Sequence, residues 1–139
     1  RAARLAGDGY QIWIVGSSKD RDIGQEIARL SGGVSVDLCG RTTLDQVVDL
    51  LSCAQVVISN DSGLMHVAAA LSVPLIALYG SSSPSFTPPL SERATVLKLD
   101  LPCSPCYKRE CPLRHFNCMV QLTPDRVYAA TAVLKQSAA

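Results

Sequence analysis

The sequence predicts an α/β fold in which a parallel sheet is covered by helices on both faces. Short apolar runs rich in β-branched residues alternate with segments of helical periodicity. The helices between the runs are about ten residues long, which suits right-handed crossovers between parallel strands. The chain has 139 residues, of which 47% are hydrophobic and 18% charged, so it can bury the core of one domain and is not a disordered segment.

Five apolar runs are expected to be strands. The first, Ile-Trp-Ile-Val, is β-branched and ends at Gly16, as a buried strand does. The five runs are residues 12–15, 34–38, 55–59, 75–79 and 95–99.

The first two predicted helices follow the first two strands. Residues 22–30 have Ile23, Ile27 and Leu30 at helical spacing, and two glycines end the pattern. The next helix is expected to begin with a variant capping box, in which Thr42 is the N-cap and Asp45 the third helical residue. Its apolar face comprises Leu44, Val47, Val48 and Leu51.

Two further helices are predicted in the second half of the chain. Ser62 can cap an alanine-rich helix over residues 63–71, whose small side chains would let it pack close to a sheet. Pro124 is expected at the first position of the last helix.

The charge balance excludes some classes of partner. There are 13 basic and 12 acidic side chains, a net charge of +1, whereas a protein that neutralises nucleic-acid phosphates is normally more basic. No apolar run reaches the roughly 18 residues of a membrane span. The chain opens at Arg1, and residues 1–5 look like the end of a helix, so we expect that an N-terminal part is missing.

The segment after the third predicted strand has the most informative chemistry. Ligands of parallel sheets bind beyond the carboxyl ends of the strands. Gly63 lets a ligand approach the backbone, and the free amides of the helix that begins there favour a phosphate or diphosphate. Asp61 could bind sugar hydroxyls, and His66 lies one turn into the helix. Asp61 and Ser62 could instead only cap the helix, with His66 a satisfied side chain, but the cluster favours a ligand site.

Two other strand ends have polar residues. Asp20 could bind both hydroxyls of a ribose, although an acidic residue at a helix start is the simpler interpretation. Helix capping likewise explains Thr42 and Thr43. No dinucleotide fingerprint follows the first strand, and the chain has no Walker A sequence, H-E-x-x-H sequence or nucleophile elbow. The sequence therefore shows a binding site without a complete reaction site.

Residues 60–71 (NDSGLMHVAAAL) and 74–90 (PLIALYGSSSPSFTPPL) resemble the C-terminal half of the ADP-heptose:lipopolysaccharide heptosyltransferases, glycosyltransferase family 9. Within that family the resemblance is closest to the type II enzymes. The preceding segments IVGSSKD and CGRTTLDQVVDLL fit in the same order.

The resemblance implies a GT-B architecture, in which two Rossmann-like domains face each other across a cleft. Residues 1–139 would be the C-terminal nucleotide-sugar-binding domain, and the N-terminal acceptor domain would be absent. Asp20 would then hold the ribose of ADP, and Thr42 and Thr43 would lie beside the adenine.

The resemblance also implies a role for the other strand end. The amides of Ser62 and Gly63 would meet the diphosphate, Asp61 would bind heptose hydroxyls, and His66 would lie near the donor sugar or phosphate. The reaction would be an inverting, metal-independent transfer of heptose from ADP-L-glycero-D-manno-heptose to the inner core of lipopolysaccharide, without a cofactor.

The catalytic base would be a carboxylate of the N-terminal domain, so this chain alone is expected to bind the donor weakly and not to transfer heptose. The enzyme would work in the cytoplasm, at the inner face of the bacterial inner membrane. Two alternatives stay open: a GT-B domain for another nucleotide sugar, and a non-catalytic nucleotide- or metal-binding module.

Four of the six cysteines fall within sixteen residues: Cys103, Cys106, Cys111 and Cys118. Their spacing would suit a structural zinc site in a reducing compartment. Free thiols, or a disulfide formed after purification, are the alternatives, and an iron–sulfur cluster fits the spacing less well. Cys39 and Cys53 are isolated in apolar surroundings and are expected to be core residues.

Overall fold

A computed structural model describes residues 2–137, so Arg1 of the expected helix end lies outside the described residues. The chain divides into two units, Arg1–Leu50 and Leu51–Ala139. The elements of the first half are α1 (Ala2–Gly7), β1 (Ile12–Ile14), α2 (Arg21–Leu30), β2 (Ser35–Asp37) and α3 (Leu44–Ser52). Those of the second are β3 (Val57–Asn60), α4 (Gly63–Ala70), β4 (Leu75–Tyr79), β5 (Ala94–Lys98), α5 (Asn117–Val120) and α6 (Pro124–Ser137).

The first unit is a two-stranded parallel sheet with two helices packed on it. β1 pairs with β2, with Trp13 opposite Val36, and both α1 and α2 contact the strands. Helix α2 lies very close to the end of β2 at Gly24, where an added Cβ would be 2.5 Å from Asp37 Oδ1. Glycine is therefore required at this position by the close approach of helix and strand.

The apolar face predicted for α2 is a helical face but not a buried one. Ile23 is 63% exposed and Leu30 is 68% exposed, and Gly24 is the buried residue of the helix. The periodicity therefore predicted the helix correctly. Its prediction of the buried face is wrong, because the helix packs on the strand through Gly24, which has no side chain.

The N-cap of helix α3 lies one residue later than predicted. Thr43, and not Thr42, forms the capping box: the Thr43 amide donates to Gln46 Oε1 at 3.0 Å, and Thr43 Oγ1 accepts from the Gln46 amide at 3.4 Å. Either threonine is chemically able to cap, and the glutamine completes the box only for the second. Val47 and Leu51 of the predicted apolar face are buried.

The second unit is a three-stranded parallel sheet in the order β3-β4-β5. Successive residues of β4 point to opposite faces, and Leu75, Ile76 and Ala77 are all fully buried, so the central strand is covered on both faces. Helices α4 and α6 both contact β4. Met65 and the small Ala68 and Ala69 form the buried face of α4.

The predicted strands and helices are confirmed to within two residues at most ends. Where a single parallel sheet was expected, the described residues form two parallel sheets, one in each unit. Cys39 is buried as expected, but the prediction for Cys53 is wrong, since this residue is exposed. It lies in the turn that follows the last residue of α3, beyond the buried face of that helix.

Candidate functional site

The carboxyl end of β3 leads directly into α4 through Asp61 and Ser62. The Asp61 amide donates to the carbonyl oxygen of Leu78 at 3.2 Å, which extends the strand pairing by one residue. The Asp61 side chain is 18% exposed, and its Oδ1 lies 3.9 Å from Nε2 of His66, whose side chain is 44% exposed. The predicted polar cluster is thus brought together at one edge of the sheet.

Ser62 occupies the N-cap position of α4 with an extended backbone, but its side chain makes no capping hydrogen bond. Its hydroxyl instead lies 3.2 Å from the hydroxyl of Ser59. The amides of the first helical turn are therefore not occupied by this side chain, which leaves partial positive charge for a ligand to meet.

Gly63 faces open space. A Cβ placed on it would meet no atom within 4 Å, so packing inside the chain does not require a glycine here. A missing side chain at the first residue of a helix keeps room for another molecule to approach the amides.

The loop that follows β4 supplies a residue that the sequence did not single out. Thr87 Oγ1 donates to Asp61 Oδ2 at 2.8 Å, across 26 residues of sequence. No sequence motif predicts this contact, because the contact depends on how the loop folds back over the sheet edge.

Asp20 lies in the first unit, at the end of a 3₁₀ turn (Ser18–Asp20) after β1. Its Oδ2 accepts hydrogen bonds of 2.7 Å from both the amide and the hydroxyl of Ser17. These bonds hold the pKa of the Asp20 carboxyl below its usual value, the hydroxyl more than the amide. Asp20 thus closes the capping box of the 3₁₀ turn through one carboxylate oxygen, whereas its side chain makes no capping hydrogen bond to α2.

Thr42 and Thr43 follow β2 in the same unit. Thr43 is engaged in capping α3, whereas the hydroxyl of Thr42 is a buried side-chain oxygen for which the described part of the chain offers no hydrogen-bond partner. A cavity of about 130 Å³ near this strand end is lined by Arg21, Gln25, Asp37, Cys39 and Arg41. Sequence analysis did not single out Arg21 or Arg41, although Arg21 adjoins Asp20 and Arg41 adjoins Thr42.

Asp37 and Cys39 are coupled at this strand end. The amide of Cys39 donates to Asp37 Oδ1 at 3.0 Å and, with smaller contributions from Arg41 and Arg21, keeps the pKa of Asp37 below its usual value. Burial raises the pKa of the Cys39 thiol to about 11, and the charges of Asp37 and Asp20 add to this shift. Cys39 is therefore a protonated packing residue at neutral pH.

The four clustered cysteines line one cavity of about 150 Å³ in the second unit, together with residues that include His115 and Met119. All four are free thiols. Nowhere in residues 2–137 do three His, Cys, Asp or Glu side chains converge in an arrangement that would hold a metal ion. The arrangement of these thiols gives the zinc hypothesis no support, and zinc stays a prediction from spacing.

The chain resembles known proteins along almost all of its length. The sequence profile of glycosyltransferase family 9 (heptosyltransferase) matches residues 2–117. This chain belongs to that family. Its sequence is 44% identical over 130 residues to lipopolysaccharide heptosyltransferase 2 of Escherichia coli, an alignment that covers 91% of this chain and 37% of that protein.

Two solved structures share the fold. The structure of the Escherichia coli ADP-heptose LPS heptosyltransferase II matches with a TM-score of 0.84 and 41% identity, over 99% of this chain and 40% of that one. A glycosyltransferase family 9 structure from Veillonella parvula matches with a TM-score of 0.80 and 24% identity, over 96% of this chain and 38% of that one. The α/β, Rossmann-like fold class and the likeness to heptosyltransferase II are confirmed.

This heptosyltransferase-family chain spans about two fifths of the length of the relatives it matches. Among its described residues, no helix has the length and apolar character needed to cross a membrane.

Proposed function

We propose that this chain is the C-terminal donor-binding domain of a heptosyltransferase that transfers heptose from ADP-L-glycero-D-manno-heptose to the inner core of lipopolysaccharide. The observation that carries the proposal is the turn between β3 and α4. There Asp61 and His66 flank a helix start whose first residue, Gly63, faces open space. The family membership, together with the ADP-heptose in the name of the related Escherichia coli structure, supports the same donor.

The turn suits the two halves of such a donor. The amides at Ser62 and Gly63 would bind the diphosphate, because uncapped helix amides and the helix dipole favour anions. Asp61 would accept hydrogen bonds from heptose hydroxyls, and His66 would lie beside the sugar or the phosphate. On the family resemblance alone, Asp20 would hold the ribose, and Thr42 and Thr43 would lie beside the adenine.

The proposed reaction is a single in-line displacement with inversion. An acceptor hydroxyl oxygen forms a bond to the anomeric carbon as the bond from that carbon to the β-phosphate oxygen breaks, through an oxocarbenium-like transition state. The hydroxyl proton passes to a carboxylate of the N-terminal domain, and ADP leaves with the bonding electrons. Helix amides and cationic side chains would stabilise the charge that develops on ADP, so no metal ion is required.

The partners follow from this reaction. The donor is a nucleotide sugar, and the acceptor is the lipopolysaccharide inner core, which would be bound mainly by the N-terminal domain. The enzyme would act in the cytoplasm, at the inner face of the bacterial inner membrane.

Calorimetric titration of the full-length protein tests the donor. We expect the protein to bind ADP-heptose and to show no comparable binding of UDP-sugars. The variant Asp61→Asn should bind ADP-heptose more weakly. Its affinity for ADP should stay within about twofold of the original value, since ADP lacks the sugar. A preference for a UDP-sugar would instead identify a GT-B domain for another donor. Full-length protein that binds nucleotide and transfers no sugar would indicate a non-catalytic module.

A further inference from the structure

The loop between β4 and β5 approaches the proposed sugar-binding carboxylate through one side chain. Thr87 Oγ1 lies 2.8 Å from Asp61 Oδ2 and 3.3 Å from the carbonyl oxygen of Ser83. A threonine hydroxyl has one proton to donate, and the nearer, charged acceptor makes the stronger bond. The hydroxyl is therefore directed at Asp61.

Thr87 is itself held from two sides. Its amide and that of Phe86 both donate to the Ser83 carbonyl, which makes residues 83–87 a helical turn. Below the turn, the hydroxyl of buried Tyr79 donates to the Thr87 carbonyl oxygen. The hydrogen bond from Tyr79 thus fixes the position of the turn relative to strand β4. The Thr87 side chain therefore reaches Asp61 from a backbone that is held by hydrogen bonds.

The bond leaves the two oxygens of Asp61 in different surroundings. Oδ2 accepts from Thr87, while Oδ1 faces His66 at 3.9 Å. A carboxylate with one oxygen fixed has less freedom to rotate, so its second oxygen is presented in one direction.

We propose that Thr87 is a positioning residue for donor recognition, which orients Asp61 so that Oδ1 accepts a hydroxyl of the donor sugar. This inference rests on the proposed function, since it takes Asp61 as the sugar-binding carboxylate. A purely structural hydrogen bond would attach the loop to the sheet edge, and its loss would change the affinities for ADP-heptose and for ADP equally.

The test compares ADP-heptose with ADP on the full-length protein by calorimetry. In Thr87→Val the hydroxyl is replaced by a methyl group, and ADP-heptose affinity should fall roughly tenfold or more, the loss expected for one hydrogen bond to a charged group. ADP affinity should stay within about twofold. Thr87→Ser keeps the hydroxyl and should restore ADP-heptose binding to within about twofold of the original protein.

Ser85→Ala is the matched control, because it removes one exposed hydroxyl from the same turn and keeps the backbone unchanged. Thermal melting of all variants shows whether the loop stays folded; Thr87 is exposed, and little change is expected.

The outcomes separate this inference from the proposed function. Equal loss of ADP and ADP-heptose binding in Thr87→Val, or no loss of either, overturns the positioning role while Asp61→Asn still reports on the sugar site. If Asp61→Asn leaves ADP-heptose binding unchanged, the assignment of Asp61 fails and the role of Thr87 fails with it.

Discussion

At Gly63 the absence of a side chain is not explained by packing. Some glycines of the chain are crowded, such as Gly16, where an added Cβ would lie 2.9 Å from Cβ of Asp20, and others have a positive φ. Gly63 has neither constraint, since an added Cβ would meet nothing within 4 Å and its φ is not positive. A helix start that could accept alanine without strain, and that has glycine instead, keeps room for the ligand of the proposed function.

We predict that Gly63→Ala separates stability from binding. The free energy of unfolding should be unchanged or slightly higher, since alanine favours helix by up to about 1 kcal/mol. Affinity for ADP should fall, because the new methyl group lies where the diphosphate approaches the amides. Thermal melting and calorimetry on the same samples measure both, and an unchanged ADP affinity would contradict the assignment of these amides.

The cysteines differ in ionisation as well as in position. The backbone amides of residues 113–116, that of Phe116 foremost, lower the pKa of the Cys111 thiol. Burial, followed by the charges of neighbouring thiols, raises the pKa of Cys118. Cys111 and Cys118 are both half-buried, yet the pKa values of their thiols shift in opposite directions.

Thiol alkylation should follow this order. The thiolate is the reactive form, so a lower pKa brings reaction at a lower pH. As the pH is raised, brief treatment of the folded protein with iodoacetamide should modify Cys111 first and Cys118 later, and Cys39 only near its pKa of about 11 or on unfolding. Peptide mass spectrometry gives the pH profile of each. Reaction of Cys118 at lower pH than Cys111 would show that the amides do not stabilise the Cys111 thiolate.

Bound zinc would change that pattern, because all four clustered thiols would be protected until a chelator is added. Elemental analysis of freshly reduced protein gives the metal content directly.

Among the elements, the strands were the most predictable and the surfaces of the helices the least. Runs such as residues 75–79 are apolar and too short for a typical helix, and β4 has those bounds. Helix α2 shows the limit: its apolar stripe includes Ile23, which is exposed, because the helix approaches its strand through Gly24. Periodicity predicts a face, and the backbone distance decides whether that face is buried.

The candidate site divides in the same way. Residues 61–66 are contiguous, so the step from strand to helix positions them together and the sequence could predict their proximity. Thr87 lies 26 residues from Asp61 in the sequence. It reaches the site only through a tertiary hydrogen bond, which residue spacing does not predict. The cap of α3 was misplaced by one residue because Thr42 and Thr43 are equally able to cap and Gln46 selects the second.

The loop after β2 depends on one backbone conformation. Gly40 has a φ of +66°, its amide donates to the Gly16 carbonyl at 2.9 Å, and an added Cβ would lie 2.7 Å from the Cα of Ser18. Both the left-handed conformation and the contact with backbone exclude a side chain. The turn after β1 and the loop after β2 are thus packed backbone to backbone.

Gly40→Ala should therefore destabilise the protein by about 2 kcal/mol or more, as strain and overpacking add. Gly7→Ala is the matched control: Gly7 ends α1, and an added Cβ there meets nothing within 4 Å, so its effect on stability should be near zero or favourable. Urea unfolding of both variants measures the difference. Similar stabilities would show that the two segments can move apart at little cost.

For the molecule as a whole, the relation to its family sets what the chain can do. It covers about two fifths of related heptosyltransferases and matches their fold closely over that part. In the proposed reaction it would contribute donor recognition, while the base and most of the acceptor surface would belong to an N-terminal domain.

We predict that the isolated 139-residue chain binds ADP or ADP-heptose weakly and transfers no heptose. The reason is chemical: the base that accepts the acceptor's proton is not expected in this chain. Mass-spectrometric assay of acceptor lipopolysaccharide measures transfer, with the full-length protein as the positive control. Heptose transfer by the isolated chain would place the complete reaction machinery within these residues.

The close approach of α2 to β2 also predicts how the family can vary. A helix interior normally disfavours glycine by about 1 kcal/mol relative to alanine. This chain has Gly24 despite that preference because the Asp37 carboxylate and the Cys39 sulfur occupy the space beside it. Relatives that have a larger residue at position 24 should therefore have exchanged Asp37 or Cys39 for something smaller. Substitutions at these three positions should appear together in a lineage, as a correlated set and not as independent drift.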